Sequence, residues 1–191
     1  MKKVFVFLVL ISPFFYLLWS VQTANDPIKY IFSFTGVSAV VILMFSLSIA
    51  PIKKVVNLLK YRKMIGLFAF FYALLHFLNF YILDAQLDFA FVVKETIDKP
   101  FVYLGMIAFT ILLFMTLSST KKLFRKFSSW HKLVYISLVL VTIHSSMAQK
   151  VLSSLEYTFI IVTCVLLGYR IYKLTLVRKV SYNDKASMIV I

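Results

Sequence analysis

Cysteine, glycine, proline and histidine are all scarce in this chain of 191 residues, which holds one, four, four and three of them. A single cysteine, Cys164, excludes an intrachain disulfide framework; in its apolar run it reads as a small buried hydrophobe. So few glycines and prolines exclude a collagen-like or low-complexity chain. Negative charge is also sparse, with seven acids against twenty-one Lys and Arg. Scarcest of all is charge within the long apolar runs, none of which carries Asp, Glu, Lys or Arg away from its ends. Ion- and proton-coupled transporters ordinarily place an ionisable carrier in their pathway, so this absence counts against transport.

What remains is apolar. Hydrophobic residues make up 62% of the chain and the mean hydropathy is +0.93, more than a soluble domain of this length can bury. A bilayer core about 30 Å thick is crossed by roughly 20 helical residues. Six stretches meet or approach that length: 4–21, 30–49, 64–83, 101–117, 133–147 and 152–172, the fifth starting near Ser129. No repeat or long linker divides them. The expectation is an all-α membrane protein, a six-transmembrane-helix bundle over residues 1–177 with a short tail at 178–191. The start, Met1-Lys2-Lys3 and an apolar run, has a signal-peptide rival with "SVQTAN" as its cleavage region. Its length favours a retained first span.

With the N-terminus in the cytoplasm, seventeen basic residues fall inside and only Lys29, Lys94, Lys99 and Lys150 outside. Six acids fall outside (Asp26, Asp84, Asp88, Glu95, Asp98 and Glu156), leaving Asp184 inside. This is the positive-inside pattern on every flank, and it places both termini in the cytoplasm. It also explains the net charge of +14 without nucleic acid.

Histidines are then the only ionisable groups at depth. His76, in "FFYALLHFLNF", lies thirteen residues beyond Lys63, about 20 Å into the bilayer at 1.5 Å per residue. His144 lies twelve residues beyond Lys132, about 18 Å in. The third and fifth helices of such a bundle run parallel, so the two imidazoles share one level in the outer half. Two neutral imidazoles at one level suit the two faces of a b-type haem. Phe70, Phe71, Tyr72, Phe77 and Phe80 are available to pack on it. The alternative is a helix–helix hydrogen bond from each histidine. Zinc is disfavoured by the lack of a third or fourth ligand nearby. His131 lies at the inner edge beside Lys132, about 140° around an ideal helix from His144. At its depth the third helix offers Arg62 and Lys63, poor iron ligands able to pair with a propionate or phosphate. His131 reads as half of a second haem site, as part of a flavin or quinone site, or as a wet interfacial histidine.

The segments "NDPIKYIFSFTG" from Asn25, "YRKMIGLFAFFYALLHFLNF" from Tyr61, "KPFVYLGM" from Lys99, "LSSTKKLFRKFSSWHKLVYI" from Leu117 and "TIHSS" from Thr142 together resemble the MsrQ (YedZ) family, within the ferric-reductase-like transmembrane cytochromes. The resemblance covers Asn25 to Ser146. It departs from the family pattern at Val37, which follows the T-G, and at Phe127, where a Trp is usual. It implies iron-ligating histidines at His76, His144 and His131, the first two holding one haem b and His131 serving a second. The wider group carries two histidines on each ligand helix, whereas the third helix here has only His76.

The resemblance further implies an inner-membrane electron carrier, a subunit of an oxidoreductase system rather than its catalytic part, with FMN among its cofactors. Electrons would come from the quinone pool or a cytoplasmic flavin reductase. They would pass to an MsrP-like periplasmic molybdoenzyme that repairs methionine sulfoxide in oxidised proteins. The outer loops "DAQLDFAFVVKETIDKP" and "AQKVLSSLEY" are the candidate docking segments. The rivals are a ferric-reductase-like cytochrome with another acceptor and a non-redox membrane binding or transport protein. No G-x-G-x-x-G occurs, so an attached NADPH domain is not expected.

Overall fold

The protein, seen in a computed structural model, is described over residues 2–189, with side chains through Leu176. The tail expected at 178–191 lies outside the residues described with side chains. Among the described residues all regular structure is helical. The α helices are α1 (Lys2–Ser20), α2 (Pro27–Ile52), α3 (Arg62–Asn79), α4 (Phe89–Asp98), α5 (Pro100–Leu117), α6 (Lys121–Phe127), α7 (Val134–Met147) and α8 (Ser154–Ile189).

Local chemistry sets several of the starts. Asp26 accepts a hydrogen bond from the Lys29 amide at 3.0 Å, and Pro27 follows at the first helical position of α2, where a missing N–H costs nothing. Pro100 does the same for α5. Asp88 caps α4 by accepting from the amides of Ala90 and Phe91 at 2.8 and 3.2 Å. Before that cap, α3 passes into a π-helical turn, Phe80–Asp84, and the chain reverses through Gln86 and Leu87 with φ of 48° and 66°.

Two helix pairs, α2 with α3 and α5 with α7, carry most of the packing, and α1 and α8 flank them. The core is apolar: Leu47, Ile49, Ile65, Tyr72 and Leu138 are all but inaccessible. Because lipid is as apolar as a core, helices in a bilayer are tied by close packing and hydrogen bonds rather than by hydrophobicity alone. Here the Tyr72 hydroxyl donates to the Leu10 carbonyl at 2.9 Å, fastening α3 to α1. Ser137 donates to the Ala108 carbonyl at 3.3 Å between α7 and α5, and Thr142 meets Thr163 at 2.8 Å between α7 and α8. Large apolar side chains such as Phe5, Trp19, Val41, Ile136 and Ile161 point outward, as a surface solvated by lipid requires.

Among the described residues, five helical segments are long and apolar enough to cross a membrane: Lys2–Thr23, Pro27–Ile52, Leu59–Asp84, Pro100–Leu117 and Ser154–Leu176. The fifth expected stretch, 133–147, is shorter than the rest. Its α helix covers 14 residues, and the segment before it, Ser128–Leu133, is wound as a tighter 3-10 helix. Two short helices, α4 and α6, occupy connections between the long ones, and α4 lies in a segment that the sequence suggested was an outer loop. Cys164 is exposed rather than buried, because that side of α8 has no protein neighbour.

Candidate functional site

The pairs α2–α3 and α5–α7 each present a histidine near the end of their second helix, at the end of the bundle away from the lysine clusters at 53–63 and 121–132. His76 projects from the last turn of α3 and His144 from the last turn of α7. The structure brings the two rings together, with centroids 6.2 Å apart and planes at 88°.

Each ring is held by a backbone carbonyl of the partner helix. Nδ1 of His76 lies 3.0 Å from the Phe32 oxygen on α2, and Nδ1 of His144 lies 2.6 Å from the Phe101 oxygen on α5. A carbonyl oxygen only accepts, so Nδ1 carries the proton in both rings and donates it. Each Nε2 then holds a lone pair, the tautomer in which imidazole binds a metal. The hydrogen bonds that the sequence offered as the alternative to ligation are therefore present, but they engage Nδ1 and leave Nε2 free. Neither Nε2 has a hydrogen-bond partner among the described residues.

Both rings line one cavity with Phe32, Phe77, Phe80, Phe101, Met106 and Phe109. Its polar lining includes Ser145, Gln149 and Glu156, from the α7–α8 connection and its flanks. The Glu156 carboxylate is turned back to cap α8, accepting from the Ser153 amide at 2.8 Å and from the Ser153 hydroxyl. Of the five aromatics expected around the histidines, only Phe77 and Phe80 line the cavity. Phe71 packs edge-on against Phe14 of α1, Tyr72 is buried beneath Leu10, and Phe70 stacks on Phe109 from behind. Helical rotation explains Phe70 and Phe71, which lie about 120° and about 140° around α3 from His76; Tyr72, one turn earlier on nearly the same face, is instead drawn toward α1 by its bond to Leu10.

These residues fit a haem. Imidazole–metal bonds of about 2 Å, with about 1 Å from each nitrogen to its ring centre, separate two axial ring centres by about 6 Å, against the 6.2 Å found. A mostly apolar lining with several aromatic rings suits a porphyrin face. Among the described residues there is no cluster of three or more His, Cys, Asp or Glu to make a conventional metal site.

His131 belongs to another cluster. It sits in the Ser128–Leu133 segment, with Nε2 3.2 Å from the hydroxyl of buried Ser118 and its ring centroid 4.7 Å from that of Phe124. The Arg62 charge acts on this ring. The structure thus brings Arg62 into the surroundings of His131, while Lys63 is exposed. Neither joins the His76–His144 cavity. Sequence reasoning missed the carbonyls of Phe32 and Phe101, since a backbone acceptor leaves no mark on residue type.

A family model described as "Ferric reductase like transmembrane component" matches residues 31–143, a stretch that includes Phe32, His76, Phe101 and His131 and stops one residue before His144. The chain belongs to the ferric reductase like transmembrane component family. The sequence is also 36% identical over 142 residues to the protein-methionine-sulfoxide reductase heme-binding subunit MsrQ of Brucella ovis, covering 71% of this chain and 64% of that protein. The MsrQ proteins of Brucella abortus and Brucella melitensis are similar at 36% and 35% over the same coverage. The chain thus spans under two thirds of the length of the curated relatives it matches. No solved structure matches it.

Proposed function

We propose that this ferric-reductase-like protein is an MsrQ-like, haem b-binding subunit of the bacterial inner membrane that carries electrons outward to a periplasmic methionine sulfoxide reductase of the MsrP type. The observation that carries this reading is the pair of Nδ1-anchored imidazoles, His76 and His144, with ring centres 6.2 Å apart in a mostly apolar cavity. Their Nε2 atoms would hold the iron, and the Phe32 and Phe101 carbonyls fix tautomer and ring direction. Phe77, Phe80 and Phe109 keep water from the porphyrin faces. Bound haem supplies one-electron chemistry, its iron alternating between ferric and ferrous.

The six-span arrangement belongs to the same reading. The 3-10 segment Ser128–Leu133 and α7 together make up 20 residues, about the length a span needs. With both termini cytoplasmic, the paired histidines stand in the outer half, on the side of a periplasmic acceptor. Electron entry then needs a second station nearer the cytoplasm. His131, Arg62 and Lys63 are its candidate residues, with a second haem, FMN or a quinone as occupant. The donor is the quinone pool or a cytoplasmic flavin reductase. The membrane domain takes in residues 1–177, with 178–191 as a cytoplasmic tail.

The test is a visible spectrum of the purified protein together with its cofactor content. The expected result is low-spin haem bands that sharpen on dithionite reduction and disappear in both His76→Ala and His144→Ala, and co-purification with a periplasmic molybdoenzyme. A folded protein from haem-sufficient cells that stays colourless overturns the haem. Haem bands with no transfer to methionine sulfoxide reductase, but with transfer to ferric chelates, favour the second reading, a ferric reductase sharing this bundle.

A further inference from the structure

The four glycines divide into two kinds. A Cβ built on Gly36 would stand 3.0 Å from Nδ1 and Cε1 of His76, and one on Gly105 would stand 2.8 Å from the same atoms of His144. A Cβ on Gly66 would meet only the Ser46 hydroxyl, at 3.7 Å, and one on Gly168 nothing within 4 Å. None of the four has positive φ, so left-handed backbone does not explain them. Gly36 and Gly105 lie inside α2 and α5, where glycine weakens a helix relative to alanine. What they provide is room.

That room is made the same way twice. Gly36 follows Phe32 by four residues, and Gly105 follows Phe101 by four. Phe32 and Phe101 are the residues whose carbonyls receive the imidazole protons. In an α helix the carbonyl of residue i points along the axis toward the amide of residue i+4. A donor from another helix reaches that oxygen only by passing beside the i+4 Cα. A methyl group there stands in its way. One turn of α2 and one turn of α5 therefore each supply a carbonyl and the clearance needed to reach it.

We propose that Gly36 and Gly105 are positioning residues, the two halves of a duplicated cradle that sets the direction of each axial imidazole and the strength of its Nδ1–H···O=C bond. The proposal rests on the haem reading above. A short bond to Nδ1 makes the imidazole a stronger donor to a metal at Nε2 and favours ferric iron. Pushing the ring off its carbonyl weakens that donation, raises the reduction potential and loosens the haem. Gly105 has the tighter contact, so its substitution has the larger effect.

The experiment compares Gly36→Ala, Gly105→Ala, Gly66→Ala and Gly168→Ala in the full-length protein by redox titration, haem retention and thermal unfolding. Gly36→Ala and Gly105→Ala should titrate at a higher potential and hold haem about 10- to 100-fold less tightly, the usual effect of disturbing a ligand's supporting partner. Gly66→Ala and Gly168→Ala should match the wild type. A double-mutant cycle separates the specific contact from general damage. Any destabilisation by Gly36→Ala should vanish in a His76→Ala background, and that by Gly105→Ala in a His144→Ala background. If a single variant fails to accumulate, the double variant should recover to the level of the histidine variant alone. Wild-type potentials in both cradle variants, or losses that persist without the imidazoles, overturn the proposal. A wild-type protein without haem bands sinks the haem reading instead and leaves the unfolding cycle to judge the cradle.

Discussion

Replacing His144 by alanine is the sharpest perturbation of the site. The side chain removed supplies one Nε2, one hydrogen bond to the Phe101 carbonyl and one wall of the cavity. Alanine ends at Cβ, several ångströms short of the metal position. Besides His76, the remaining side-chain donors of the lining are the Met106 thioether, a weaker ligand, and Ser33, Ser145, Gln149 and Glu156, of which Glu156 is already committed to Ser153. No second imidazole is available, because His131 lies in its own cluster with Ser118. Iron is then left with the single ligand of His76. A lost supporting partner alone costs up to about 100-fold in metal affinity, so loss of the ligand itself should cost more than about 100-fold, or roughly 3 kcal/mol at 1.4 kcal/mol per decade. The assay is haem titration of the purified apo-protein, followed by carbon monoxide addition to the reduced form. The wild type should bind no carbon monoxide, since both axial positions are taken. The variant should bind it, lose the low-spin bands and release haem. A His144→Ala protein that keeps its low-spin spectrum and refuses carbon monoxide refutes the reasoning, because some other residue must then hold the iron.

His131→Ala should leave the low-spin bands of the His76–His144 site unchanged while slowing reduction by quinol or reduced flavin, which stopped-flow absorbance would record. Thr142→Val breaks a buried 2.8 Å hydroxyl pair with Thr163; it should lower stability by about 1 kcal/mol, measured by thermal unfolding in detergent, and the double change with Thr163→Val should recover part of that loss. Asp88→Ala removes an acceptor for two α4 amides and should cost about 1 kcal/mol of local stability, seen as faster hydrogen exchange confined to residues 89–92.

Much of the helical layout is legible because crossing hydrocarbon leaves so few options. A backbone with no water to bond to must be helical or a closed barrel, and the apolar runs have helical length. The common level of His76 and His144 follows from counting residues back to the flanking lysines. What stays hidden is whatever depends on rotation about a helix or on backbone atoms. Phe70 and Phe71 miss the expected ring for that reason, since depth says nothing about direction, and Tyr72 misses it because its hydroxyl is bonded to a backbone carbonyl of α1. The same limit hid α4, whose ten residues alternate too briefly between apolar and charged to signal more than a loop. Cys164 misleads in a different way: in a membrane protein an apolar run faces lipid as readily as protein, so hydrophobicity no longer means burial.

Charge depletion and the form of the histidine site have one physical origin. A charged group is expensive at this depth, so each imidazole is best kept neutral, and a neutral imidazole has one donor and one acceptor to satisfy. The donors go to Phe32 and Phe101, carbonyls already bound into helices and able to accept a second bond through their remaining lone pair. The acceptors find no N–H or O–H partner among the described residues and both line a mostly apolar cavity. Two unsatisfied acceptors together in an apolar space are costly, and a single electron-pair acceptor between them relieves both at once. A proton would satisfy only one ring and would bring an unpaired charge with it. A metal held at the centre of a large apolar macrocycle satisfies both and fills the space. The two-helix cradle is thus better matched to a metalloporphyrin than to the helix-fastening role in which each histidine would need only its Nδ1 bond.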